Sequence, residues 1–202
     1  VVRESIRNEL TGLESLAGVP GTLGGALKMN AGAWGSEISN FLVSVDVIDS
    51  KGNLKTLNPD NLKFQYRSSS FSSNDFIISA RFKLEKSTEK NIKHKKKIAS
   101  EGRIKTQPLK YRSAGSVFKN PSSLLAAGFL IDESGLKGTV CGGAEISTHH
   151  ANFFINHGNA KAKDIAHLIK LSRMSIFERF AIMLDLEIKT IGFKNKELFP
   201  YD

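Results

Sequence analysis

Residues 18–35 contain Gly18-Val19-Pro20-Gly21-Thr22-Leu23-Gly24-Gly25-Ala26 and, two residues later, Met29-Asn30-Ala31-Gly32-Ala33-Trp34-Gly35. Six glycines and a proline in eighteen positions argue against a regular helix or strand. Glycine is entropically costly in both, and proline removes a backbone donor. The stretch therefore reads as one long loop whose backbone approaches something closely.

Outward from that loop, the pattern alternates between short strands and helices. Residues 1–10 read as the end of a short helix. Residues 41–49 are rich in β-branched side chains and read as a strand. Gly52-Asn53 is a hairpin turn into a return strand at Leu54–Leu57. Pro59-Asp60 starts a helical turn leading to Tyr66-Arg67, residues 75–84 form another strand, and residues 86–103 a basic helix. A domain boundary is expected inside that helix, giving a first domain at 1–98 and a second at 99–202.

The second half predicts a helix at residues 124–132, a turn at Gly142-Gly143 and a buried strand at residues 151–156. Residues 161–180 give the clearest helix, with Ile165, Leu168, Ile169, Ser172 and Ile176 on one face at helical spacing. Residues 183–191 alternate as a strand would, Leu184, Leu186 and Ile188 facing one way and Asp185, Glu187 and Lys189 the other. The fold class is α+β.

Composition narrows the function. The 202 residues carry a net charge of +9, but residues 86–110 alone hold nine Lys/Arg against two Glu. The excess is one segment around Lys93, Lys95, Lys96 and Lys97, without interleaved aromatics, so it reads as a solvated helix face and not as a nucleic-acid groove. No apolar run reaches a membrane span of roughly 20 residues. The single cysteine, Cys141, permits no internal disulfide and reads as a small buried hydrophobe. No secretory pattern follows Val1, and a cytoplasmic location is expected. No Cys/His spacing around His149 and His150 fits a zinc site, so no metal is expected.

Three stretches could carry chemistry. Arg67, among the small residues Ser68, Ser69 and Ser70, offers a planar fork suited to a carboxylate or phosphate, although a surface arginine would look the same. Ser113-Ala114-Gly115-Ser116-Val117-Phe118-Lys119-Asn120-Pro121 brings a hydroxyl with small neighbours close to a cation and an amide, or is an ordinary Ser-Gly turn. Glu187 sits on the polar side of the last alternating segment, where a carboxylate is usually only solvated. No Gly-x-Ser-x-Gly elbow is present to support a serine hydrolase.

The order of these blocks resembles the UDP-N-acetylenolpyruvoylglucosamine reductase (MurB) family. Gly12-Leu13-Glu14 and the two glycine blocks look like its flavin loop. Tyr66-Arg67, Thr106-Gln107-Pro108, residues 114–121, Gly135-Leu136-Lys137-Gly138, Gly142-Gly143-Ala144, His150-Ala151-Asn152-Phe153 and Leu186-Glu187-Ile188 with Ile191-Gly192 follow in register from about residue 12 to 192.

The resemblance implies part of an FAD-binding α+β domain of the PCMH type, followed by a smaller substrate-binding domain, with the C-terminal strand returning to an active site at the domain seam. It implies FAD and NADPH as cofactors and UDP-N-acetylglucosamine enolpyruvate as substrate, in cell-wall synthesis. Pro20, Gly21, Gly24, Gly25, Asn30, Gly32, Tyr66 and Arg67 would contact the cofactor. Trp34, Lys119 and Asn120 would contact the substrate. Arg67 would also bind the substrate carboxylate, Glu187 would polarise the same group as a protonated acid, and Ser116 would protonate the α-carbon.

The family's further N-terminal domain, with a second glycine-rich loop ending Ser-Asn, has no counterpart in these residues, so a partial chain is expected. Trp34 stands where tyrosine is usual, Lys28 where an apolar residue is common and Ser134 where alanine is usual. The alternatives are a silent remnant that folds but binds FAD poorly and a basic nucleic-acid-binding module.

Overall fold

The computed structural model describes residues 1–198, apart from the side chains of residues 195 and 196. It divides into two compact units, Val1–Arg103 and Ile104–Asp202.

The first unit starts with α1 (Val2–Arg7) and β1 (Leu10–Thr11), then a 3-10 turn at Glu14–Leu16, α2 (Leu23–Lys28) and a hairpin of β2 (Gly32–Ala33) with β3 (Ser36–Glu37). Next come β4 (Leu42–Ile48), β5 (Leu54–Leu57), the small hairpin β6 (Phe64–Gln65) with β7 (Ser68–Ser69), β8 (Phe76–Phe82), β9 (Glu85–Lys86) and α3 (Glu89–Thr106). The central sheet is antiparallel, in the order β5-β4-β8. Val45 and Val47 on β4 are fully buried against Leu13, Leu27, Ile38, Leu62 and Phe71, which is the core expected from a β-branched strand with one apolar face. The two-residue strands β1 and β9 pair antiparallel.

The glycine-rich stretch is not one loop, as its composition suggests. It holds helix α2 and the β2–β3 hairpin. The Thr22 hydroxyl caps α2 by accepting from Gly25 N at 3.1 Å. At the other end Asn30 turns to φ +42, its N–H donating to Leu27 O at 3.1 Å, while Ala31 N donates to Ala26 O at 2.7 Å. That is the Schellman arrangement, with asparagine in the left-handed position more often held by glycine. Good caps at both ends offset the low helix propensity of Gly24-Gly25. In the hairpin, Trp34 (φ +55) and Gly35 (φ +78) are both left-handed, as a type I′ turn requires.

The second unit has β10 (Arg112–Ser116), α4 (Ala127–Glu133), β11 (Val140–Cys141), β12 (Ala144–Ile146), β13 (Phe153–Asn156), α5 (Ala162–Phe180) and α6 (Asn195–Leu198). Its antiparallel sheet has the order β10-β13-β12-β11. One face packs on α4 and α5 around Phe118, Leu130, Ile146, Phe154, Leu168, Ile169 and Ile176, all buried. The expected apolar face of α5 is the face that packs, although Ile165 is only partly covered. The predicted helix at 124–132 begins later, at Ala127, and Leu124 is almost fully exposed.

The predicted strand at residues 183–191 is corrected to a single β-bridge, Phe118 with Leu186. Its alternation is real, since Leu184 is buried and Leu186 and Ile188 pack against the same core. What it lacks is a ladder. The backbone bonds of the bridge run to the short irregular segment after β10: Lys119 N donates to Asp185 O and Glu187 N to Val117 O, both at 2.8 Å.

Leu168 has no exposed surface at the centre of the second core. Leu168→Ala is expected to destabilise that unit by about 2–5 kcal/mol through lost burial and a residual cavity. Urea unfolding should show a lower midpoint with an unchanged slope.

Candidate active site

In the first unit, the glycine stretch and the Arg67 hairpin are tied together. Tyr66 and Arg67 are the two residues between β6 and β7, and Arg67 is left-handed at φ +53. A bulky residue in that region is strained unless its surroundings hold it there, and such strain collects at functional positions. Arg67 is half-buried, with its guanidinium carbon 5.0 Å from the centre of the exposed Tyr66 ring. Asn30 Nδ2 donates to Gln65 O, the residue before this turn, at 3.2 Å and to Glu37 Oε2 at 2.6 Å. Ser69 Oγ donates to Lys28 O at 2.7 Å, and Lys28 Nζ to Ser72 O at 2.7 Å. Asn30 therefore links α2, the β2–β3 hairpin and the Arg67 turn from a fully buried position.

Two observations bear on a bound cofactor. Gly21, at φ +127, has no atom within 4 Å of where a Cβ would stand, so its bare backbone faces open space. A phosphate or a flat ring could lie against it, as the expected FAD would. Beneath the loop, Asn30 Oδ1 is buried with no hydrogen-bond donor. These residues fit the group. Pro20 and Gly25 are exposed beside Gly21, while Gly24 and Gly32 are half-buried. A Cβ on Gly32 would fall 2.8 Å from Glu37 Cγ, so this glycine also serves the hairpin.

Composition gave no sign of Arg103. It is buried on α3, donating through Nη1 to Ala17 O at 2.7 Å and through Nη2 to Ser15 O at 3.4 Å, and so fixes the entry to the glycine stretch. Burial lowers its pKa from the ordinary arginine value. Trp34 is half-exposed and lies across Gly102 of α3. It borders a groove of about 760 Å³ with Thr11, Glu14, Phe41, Lys95 and Ile98. Arg67 and Gly21 do not line that groove, which meets the β2–β3 hairpin at Trp34 and Ser36.

In the second unit, Ser116 and Glu187 are held in register. β10 bulges between Ser113 and Ser116, with Gly115 at φ +85. That bulge re-aims the strand at Ser116. The Asn152 side chain then substitutes for a ladder neighbour, its Oδ1 accepting from Phe118 N at 2.9 Å and its Nδ2 donating to Phe118 O at 2.8 Å. Val117 N donates to Asn152 O at 2.8 Å. On the other side, Val117 O accepts from Glu187 N. Ser116 and Glu187 are both half-buried. Asn120 Oδ1 accepts from Ala127 N at 3.1 Å and so caps α4, while the Lys119 side chain is half-buried beside it.

His150 lies close by, with its Nδ1 accepting from Asn152 N at 3.2 Å and its ring 4.8 Å from the Phe153 ring. Burial, helped by the charges of His149 and Lys137, lowers its pKa below the ordinary histidine value.

Two family models match the chain: an FAD binding domain over residues 2–58 and the UDP-N-acetylenolpyruvoylglucosamine reductase C-terminal domain over residues 107–191. A reductase of that name from Rickettsia canadensis (strain McKiel) is 42% identical over 185 residues, covering 92% of this chain and 62% of the relative. A second, from Bacillus cereus (strain ATCC 10987 / NRS 248), is 44% identical over 193 residues, covering 95% and 63%. The chain thus spans a little over three fifths of the length of the curated relatives it matches. The crystal structure of the Thermus caldophilus reductase superposes with a TM-score of 0.83 at 38% identity, over 93% of this chain and 67% of that one.

Two predictions follow from this geometry. A Cβ on Gly102 would fall 2.4 Å from the Trp34 ring, so Gly102→Ala should displace the protein's only tryptophan and shift its emission maximum. His150 should titrate below 6.5 in an NMR pH series. With its folded pKa depressed, the unfolded chain binds the proton first, so stability should fall as pH drops through about 6.5, and less so in His150→Gln. The motifs, the matched residues and the superposition agree in placing this chain in the UDP-N-acetylenolpyruvoylglucosamine reductase family.

Proposed function

We propose that this chain carries the flavin-loop and substrate residues of an NADPH-dependent reductase that converts UDP-N-acetylglucosamine enolpyruvate to UDP-N-acetylmuramate. The observation that carries this reading is the hydrogen bond from Glu187 N to Val117 O, which ties the segment carrying this carboxylic acid to the residue that follows Ser116, a hydroxyl with small neighbours. The reading also assigns the chain to the cytoplasm, where reduced nicotinamide is available.

Bound FAD, reduced by NADPH, would supply a hydride for the β-carbon of the enolpyruvyl group. The chain's own residues supply placement and charge. The Arg67 guanidinium binds the substrate carboxylate and takes up the negative charge that develops beside it. The Glu187 carboxyl polarises the same group. The Ser116 hydroxyl gives its proton to the α-carbon and regains one from solvent. An alcohol is a weak acid, so this transfer needs a strongly basic carbon acceptor and little competing water. The exposed Gly21 backbone receives the cofactor, and the chain of bonds from Asn30 keeps Arg67 in fixed relation to it. Lys119 and Asn120 hold the nucleotide-sugar, Asn120 from its place at the start of α4.

Purified protein should be yellow, or become so on adding FAD; a preparation that cannot be reconstituted contradicts flavin binding by this chain. In the intact protein, Ser116→Ala should leave flavin reduction by NADPH unchanged. It should slow reoxidation by the enolpyruvyl substrate by about a hundred- to ten-thousandfold, the usual contribution of a positioned acid. Stopped-flow absorbance separates the two half-reactions. Equal rates in wild type and variant would remove the proton-donor role.

A further inference from the structure

Arg173 lies on the apolar side of α5, one helical turn after Ile169, and has no exposed surface. Its Nε donates to Leu184 O at 2.9 Å and its Nη1 to Leu198 O at 2.9 Å. The guanidinium carbon lies 5.9 Å from the centre of the Phe118 ring. Burying a guanidinium is costly, and an apolar residue would fill a helix–core contact at lower cost. Its contacts indicate what the cation does instead.

The segment that carries Glu187 has an ambiguous register. Leu184, Leu186 and Ile188 all face the core, so sliding the segment by two residues leaves apolar side chains inside and polar ones outside. Such a slip moves the carboxylate by roughly 7 Å along the chain and brings Asp185 or Lys189 to its place. Hydrophobic burial distinguishes these registers weakly, and a single β-bridge provides little more. Arg173 does distinguish them, because within this segment it bonds the carbonyl of Leu184, while its charge lies over the ring of Phe118, the bridge partner of Leu186.

We propose that Arg173 is the positioning residue that selects this register and thereby sets where Glu187 stands along the segment beside Val117. The proposal rests on the reductase reading for its catalytic consequence, though not for its structural one. Arg173 acts on the segment through the carbonyl of Leu184 and the ring of Phe118.

Amide hydrogen exchange on this chain tests the structural part without cofactor. Arg173→Gln should speed exchange at the Lys119 and Glu187 amides at least tenfold, with β12 and β13 amides unchanged, and Arg173→Lys should restore part of the protection. Unchanged protection at Lys119 and Glu187 overturns the proposal. If Arg173→Gln does not fold, the same comparison with Arg173→Lys decides.

The catalytic part is read in the intact protein. Flavin reduction by NADPH should keep its rate in Arg173→Gln. Reoxidation by UDP-N-acetylglucosamine enolpyruvate should slow about ten- to a hundredfold, the usual effect of a misplacement of ångström size. The double variant with Glu187→Gln should be no slower than Glu187→Gln alone. Multiplicative losses, or equal slowing of both half-reactions, overturn the positioning role. If wild-type protein is not reoxidised by that substrate, the reductase reading fails, and the exchange experiment still judges the register.

Discussion

The amide of Glu187 donates to the carbonyl of Val117, and the arrangement of the second unit's candidate site depends on that bond. Val117 follows Ser116 directly, so one contact sets the register between the segment carrying Glu187 and the chain just after Ser116, without a regular strand pair. Everything nearby limits how far this contact can drift. The Asn152 amide holds both backbone groups of Phe118, Lys119 N holds Asp185 O, and the Gly115 bulge sets where Ser116 leaves the sheet. Buried polar groups of this kind are expensive when unpaired and stiff when fully paired, which suits a site that must hold reacting groups in place.

The first unit uses the same principle with a different residue. Asn30 ends α2, lies buried, and donates to both Glu37 and Gln65. The glycine stretch beside it would be floppy on its own composition. Instead, short caps at Thr22 and Asn30, a type I′ turn at Trp34-Gly35 and Arg103 beneath Ser15 and Ala17 make it a defined surface.

Much of the fold was legible in the sequence. β4, β5, β8 and α5 follow from β-branched content, a Gly-Asn turn and a 3.6-residue apolar period, because in each the local pattern and the core agree, and α3 follows as the basic helix. Propensity alone makes the glycine stretch a loop; the caps at Thr22 and Asn30 make part of it a helix. The strand at 183–191 failed for another reason. Alternation reports which side chains are buried, whereas a ladder needs a partner strand, and the sequence carries no mark of how long that partner is. The candidate residues were readable as an ordered set of blocks. Their supports Arg103 and Arg173 were not, because a buried arginine looks like a surface one until its burial is known.

The contact of Trp34 with Gly102 has a consequence for how the sequence can change. A side chain at 102 has no room while an indole occupies 34, and a smaller residue at 34 uncovers the helix at 102. The two positions, 68 residues apart, therefore behave as one unit of heredity. The order of change is constrained as well: the ring must shrink or move before the glycine can be replaced, so a lineage leaving this pair passes through a state with a gap and not through one with a clash.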